Sequence, residues 1–205
     1  MKTSLTIMAV VAASGMYLSS CTTTKDTLTT PKFENSVNST AKASCFVQMN
    51  DGTIKKFNEI NMVTGVLVTP YLLADGKIKI DPKDIKAYQN HDHYAISQKQ
   101  FKSGRISYAA SEVLPGFAEM IASGKLIVYK KTIFNGERAI HQFFVQEGKS
   151  AEILPYNNTL IQTIIKDNTE ALNYFNSNTD KNNLERKLQT TAYLFNNDLA
   201  TANKK

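Results

Sequence analysis

Residues 126–146 decide the fold: Leu126 to Phe134 (LIVYKKTIF), then Asn135-Gly136, then Glu137 to Gln146 (ERAIHQFFVQ). Asn-Gly between two apolar runs rich in β-branched and aromatic residues is the strongest short-range hairpin signal. A two-residue loop pairs Phe134 with Glu137, hence Val128 with Phe143 and Leu126 with Val145. The opposite face carries Ile127, Tyr129, Ile133, Ile140 and Phe144. With both faces largely apolar, the hairpin belongs in the middle of the fold, one face toward other strands and the other toward helices.

Working outward, the residues before the hairpin are punctuated by turns. Ser44 to Met49 reads as a strand, Asn50-Asp51-Gly52 as a turn, and Thr53 to Ile60 as the return strand. Val63 to Thr69 is a further strand, stopped by Pro70. A turn at Ala74 to Lys77 leads into Lys77 to Ile80, and Ile85 to Gln89 and His93 to Ser97 are short strands. Pro115 to Ser123 reads as a short helix, with Pro in its first turn and Gly124 after its last. Its Phe117, Met120 and Ile121 would face the hairpin. Beyond Pro155, one helix enters through Asn158 or Thr159 and carries Leu160, Ile161, Ile164 and Ile165. Leu172 and Phe175 mark a second helix; Leu184, Leu188, Ala192, Phe195 and Leu199 mark a third. The expected class is α+β: an antiparallel meander, partial barrel or sheet of about seven to nine short strands, with a short crossing helix and two to three C-terminal helices. The β-rich core spans 44–155, the helices 156–199, and 200–205 should fray.

Composition excludes several classes. The chain has 205 residues, 42% hydrophobic and 20% charged, with 10 Phe and 9 Tyr, enough to build a core. Two Cys and three His leave no disulfide scaffold and no Cys-rich zinc module. Lys+Arg of 24 against Asp+Glu of 18 gives a net charge of +6. The positive residues are scattered among acidic ones rather than gathered in a run, so no nucleic-acid partner is expected.

The amino end is the most informative part for location. Lys2 precedes an apolar stretch from Leu5 to Leu18 that is too short to span a bilayer and suits the core of a signal peptide. Leu18-Ser19-Ser20-Cys21 follows, which resembles the lipobox of bacterial lipoproteins. That resemblance implies a signal peptide over 1–20, removed before Cys21, and a lipid on the Cys21 sulfur. A thiolate has the nucleophilicity the transfer needs, and two or three acyl chains would anchor the product durably in a membrane. Residues 21–43 continue as a flexible tether rich in Thr, Ser and Asn.

The order of the parts beyond the tether, roughly Ser44 to Asn197, is similar to uncharacterised small envelope lipoproteins of Gram-negative bacteria. The motifs behind that likeness are a Gly-punctuated meander, a hairpin opening Gly-Lys-Leu-Ile-Val-Tyr and ending Phe-Phe-Val-Gln-Glu-Gly, and Asn-rich closing helices. It implies an outer-membrane location facing either the periplasm or the surface, and transfers no catalytic residue.

Signs of chemistry are few. His91-Asp92-His93 puts two imidazoles on one face if the segment is extended, making His91 and His93 the candidate metal ligands. A third ligand would have to be His141 or a distant carboxylate, so neither a metal nor a cofactor is expected. His141 shares a face with Phe143 and Val145 and reads as a core histidine. Cys45 heads an apolar strand and reads as a small buried residue; a reactive thiol there would need a base. Ser103 and Ser107 have no evident His partner, and no nucleophile elbow occurs. Tyr71, Tyr88, Tyr94, Tyr108 and Tyr129 are candidates for a surface that stacks on sugars or grips a peptide. The expected function is a lipid-anchored, non-enzymatic binding or structural module for an envelope protein or glycan. The alternatives are an envelope hydrolase whose site is assembled from distant residues and a secreted soluble effector.

Overall fold

The structure, a computed structural model, describes residues 44–65, 67–102, 111–178 and 183–202. Cys21, the expected signal peptide and the tether lie outside the described residues, as do Ser103, Ser107 and Tyr108. Among the described residues, twelve strands and three α-helices follow one another in an α+β arrangement. β1 (Cys45–Met49) and β2 (Ile54–Phe57) form the first hairpin; β3 (Ile60–Gly65), β4 (Val68–Ala74) and β5 (Ile78–Ile80) form a separate three-stranded sheet. β6 (Ile85–Gln89), β7 (Tyr94–Ser97), β8 (Ser111–Glu112), β9 (Phe117–Ala122), β10 (Leu126–Phe134), β11 (Ala139–Glu147) and β12 (Leu154–Pro155) complete a nine-stranded main sheet. Its order is β12-β11-β10-β9-β7-β6-β1-β2, with β8 on the far end of β10. Every strand pairing in both sheets is antiparallel.

The central hairpin forms, two residues out of the expected register. Leu126 pairs with Glu147, Val128 with Val145 and Phe134 with Ala139. Asn135 is not a central turn residue: its N–H meets the Arg138 carbonyl at 3.2 Å, and its side-chain oxygen accepts from the N–H groups of Glu137 and Arg138. Gly136, at φ 95°, therefore takes the first central position, where a primed turn needs positive φ. A slip of two preserves side-chain parity. Leu126, Val128, Phe143 and Val145 still share one core, and Ile127, Tyr129 and Phe144 the other.

The expected helix at Pro115–Ser123 is instead β9. Pro115-Gly116 makes a turn closed by the Phe117 N–H on the Leu114 carbonyl, and the Glu112 carboxylate receives the Gly116 N–H at 2.8 Å. A Pro-Gly turn fed into a strand looks locally like a helix start. Phe117 and Met120 consequently lie on opposite faces, and a bulge beside Val128 absorbs Ile121. The expected strand Thr53 to Ile60 is split. The Asp75 carboxylate takes the N–H groups of Asn58 (2.8 Å) and Glu59 (3.1 Å), and Ile60 starts the second sheet. Pro70 lies inside β4 rather than stopping a strand; β5 reaches only as far as Leu72, so no ladder bond is lost there.

Three helices follow: α1 (Asn158–Ile165), α2 (Thr169–Ser177) and α3 (Leu184–Ala202). The Asn157 side chain caps α1, one residue before the expected entry, and Asn168 caps α2. α3 runs through Ala200, where fraying was expected, to Ala202.

On one face of the main sheet, Ile60, Leu72, Ala74 and Ile80 of the small sheet cover Cys45, Val47, Ile85 and Tyr88. On the same face, Ile161, Ile165, Phe175, Leu188, Ala192 and Phe195 of the helices cover Leu126, Val128, Phe143 and Val145. The opposite face of the hairpin is closed not by strands but by Phe101 and Ile153, which form an isolated bridge.

Asn196 ties α3 to the turn before β10. Its side-chain oxygen accepts from Leu126 N–H at 2.8 Å, and its amide donates to the carbonyls of Ser123 and Leu126, both at 3.0 Å. Asn196→Ala should lower the unfolding free energy by about 2 kcal/mol in urea titrations, since it strands part-buried backbone groups. Gly124→Ala should cost at least as much, because a Cβ there, at φ 145°, collides with the Asn196 carboxamide.

Candidate functional site

One row of side chains crosses the main sheet on its covered face. Pairing sets Val47 beside Tyr88, Tyr88 beside Ala95, Ala95 beside Glu119, Glu119 beside Lys130, and Lys130 beside Phe143. The row begins in the core under the small sheet and ends in the core under the helices. Its middle is charged. The Lys130 ammonium lies 3.2 Å from Glu119 and 2.8 Å from Glu185 of α3, with its side chain 16% exposed. Burial works against this charge, yet the hydrogen bond to Glu185 and the charge of Glu119 outweigh it and leave the Lys130 pKa above its ordinary value.

Beside this ion triad stands a Tyr–His pair. His93 Nε2 is 2.8 Å from the Tyr88 hydroxyl. Burial, reinforced by the charge of Glu119, pushes the Tyr88 hydroxyl far up. Burial also holds His93 below its ordinary pKa, against the opposing pull of Glu119 and Asp92. A neutral imidazole accepting from the Tyr88 O–H satisfies both groups. A turn from Asn90 to His93 sets the ring in place: Asn90 Oδ1 accepts from the N–H groups of Asp92 and His93, and Asn90 N–H meets the His93 carbonyl.

This turn separates the two expected metal candidates. His91 and His93 are not on a strand and take different partners. His91 Nε2 donates to the Asn58 carbonyl at 3.0 Å. Among the described residues no three His, Cys, Asp or Glu side chains gather as a metal site. His91 also meets the fully buried Cys45, whose sulfur is 3.6 Å from each ring nitrogen. A base therefore does stand beside the thiol, but equal distances put the sulfur off the lone-pair axis of either nitrogen. His141 is exposed, not a core histidine; it lies outside the core residues gathered under the helices and bonds Thr132 Oγ1 at 3.0 Å.

The tyrosines do not share one surface. Tyr88 is buried on the covered face, Tyr94 and Tyr129 are on the opposite face, and Tyr71 is in the small sheet. Sequence reasoning missed Glu119, Lys130 and Glu185. The available signal was period-two alternation: reading 117–122 as a strand places Glu119 inward beside Phe117, and an inward charge requires a partner.

Among the described residues every buried side-chain nitrogen and oxygen has a hydrogen bond. Comparison with protein families, curated proteins and solved structures found no match to this chain.

The depressed His93 pKa fixes the sign of a pH effect. Between its folded pKa and the ordinary 6.5, the unfolded chain binds the proton more readily, so stability contributed by neutral His93 is lost as pH falls through that window. The stability difference between wild type and His93→Gln should therefore shrink as urea titrations move from about pH 7 to about pH 5; a constant difference would refute the assignment.

Proposed function

We propose that this chain is a lipid-anchored envelope protein whose β-rich body binds a protein or glycan partner and carries out no chemistry of its own. The observation that carries the reading is Leu18-Ser19-Ser20-Cys21 directly after an apolar leader, followed by a polar tether. A diacylglyceryl group on Cys21 would hold the body at the membrane, in this reading the outer one, on the resemblance of the lipobox and of roughly Ser44 to Asn197 to small envelope lipoproteins of Gram-negative bacteria.

A strip on the less covered face of the main sheet supports the binding role. Phe46, Gln89 and Tyr94 are direct neighbours across β1, β6 and β7, all half-buried, and the rings of Phe46 and Tyr94 are 6.2 Å apart. Aromatic rings flanking an amide offer both stacking and hydrogen bonding to a sugar or an extended peptide. The hydrogen-bonded state of the Tyr88–His93 and Lys130 row fits a structural part rather than a catalytic one.

Metabolic labelling with palmitate tests the anchor. Wild type should carry label and sediment with membranes, and Cys21→Ala should lose the label completely. Labelled Cys21→Ala, or unlabelled wild type, would overturn the reading.

A further inference from the structure

We propose that β2, the free edge of the main sheet, takes an extended acidic segment of a partner protein as an added antiparallel strand. The proposal deepens the binding reading above and rests on it: of the protein and glycan partners allowed there, the edge selects a protein. The sheet ends at β2, which pairs with β1 on one side and, among the described residues, with no strand on the other. The ladder tells which backbone groups are left over. The Met49 N–H meets the Thr53 carbonyl at 2.8 Å. Bonded pairs alternate along an antiparallel ladder, so Val47 with Lys55 and Cys45 with Phe57 are the pairs bonded across the hairpin. Ile54 and Lys56 therefore turn their N–H and C=O groups to the open side. At the next alternate residue, Asn58, the fold supplies its own partners: the Asp75 carboxylate takes the N–H and the His91 ring meets the carbonyl. Among the described residues no such partner reaches Ile54 or Lys56 from outside β1.

Other edges are blunted in the usual ways. β12 is two residues long and holds Pro155, β5 is three residues long, and β3 is bulged between Val63 and Gly65. β2 has neither a Pro nor a bulge, only Lys55 and Lys56. Those lysines choose the occupant. In a second copy docked antiparallel, the register that matches open groups to open groups sets Lys55 directly against Lys55, and like charges so placed repel. An acidic segment turns the same charges into attraction. Both lysines are exposed, and the ion pairs among the described residues use Lys102, Lys130 and Lys131 instead. Asp51, in the adjoining turn, feels the charge of Lys55 but spends its carboxylate on the Thr53 N–H at 2.8 Å. Ile54, 57% exposed, adds an apolar contact. Lys56 lies beside Phe46, so a carboxylate facing it prolongs the row of Phe46, Gln89 and Tyr94 past the edge of the sheet. The segment that fits reads apolar, acidic, acidic, apolar against Phe57, Lys56, Lys55 and Ile54.

The test titrates the full chain with a synthetic peptide centred on Val-Glu-Glu-Val and reads affinity together with amide hydrogen exchange. Exchange should slow at Ile54 and Lys56 and stay unchanged at Lys55 and Phe57, whose amides already bond β1. The double variant Lys55→Glu/Lys56→Glu should weaken binding about tenfold. A peptide centred on Val-Lys-Lys-Val should bind that variant as the first peptide binds wild type, which also shows the variant to be folded. On wild type, N-methylation of the glutamate facing Lys56 should abolish binding. Equal binding by the N-methylated peptide, or by the lysine peptide, overturns strand addition in favour of unspecific attraction. Absence of peptide binding with a glycan bound at Phe46 and Tyr94 overturns the edge and leaves the binding reading standing; absence of both overturns the two together. Protection of Ile54 and Lys56 that grows with protein concentration in the absence of peptide overturns the acidic partner in favour of a second copy.

Discussion

The two-sided burial of β10 is the constraint on which the remaining structure depends. Leu126 and Val128 point to one side, Ile127 and Tyr129 to the other, and all four are buried. One sheet cannot hide both sets from water; each needs its own cover. The helices supply one, through Ile161, Phe175 and Leu188, and Phe101 with Ile153 supplies the other. Asn196 then fixes where α3 sits along β10, because its three hydrogen bonds saturate the backbone at the strand's entrance. The helices are thus held by a polar contact at one end and an apolar contact along their length.

The same sheet face carries two cores, and a charged row divides them. Removing Lys130 from water costs several kcal/mol, and two carboxylates within 3.2 Å offset much of that. Such a triad contributes little net stability; its use is in specification. A one-residue slip of β9 against β10 would set Glu119 opposite Tyr129 or Lys131, whose side chains lie on the other face, and leave Lys130 without its strand partner. The row thereby marks where the small sheet ends and the helices begin. Tyr88 and His93 extend it into the neighbouring core as a neutral hydrogen bond, which tolerates burial better than a charge would.

Legibility from sequence followed the range of the interaction. The strands at Cys45–Met49 and Ile85–Gln89, the turn at Asn50-Asp51-Gly52 and the three helices are written in neighbouring residues, and they occur close to where the pattern puts them. The two-faced hairpin was legible as well, although the Asn135 side chain moved its turn by one position. The errors arose where a local signal has two meanings. Pro115-Gly116 serves a helix start or a turn equally well, and here the turn is accompanied by the Glu112 carboxylate on the Gly116 N–H and by pairing of β9 with β7 and β10. Likewise Thr53 to Ile60, following the Asn50-Asp51-Gly52 turn, reads as one return strand, and a carboxylate from Asp75 breaks it in two. The ion triad was illegible because its members come from β9, β10 and α3, far apart in the chain.

By itself the sequence determined the class of fold, the faces of the hairpin, the presence of the three helices and the lipobox pattern at the amino end, since each is set by residues within a few positions of one another. Only the tertiary structure decided that the meander divides into two sheets, that His91 and His93 part company, that Cys45 lies beside His91, and that Lys130 joins two carboxylates. Those outcomes depend on which distant groups arrive to satisfy a buried charge or an open backbone bond, and that pairing is settled by three-dimensional packing, not by spacing along the chain.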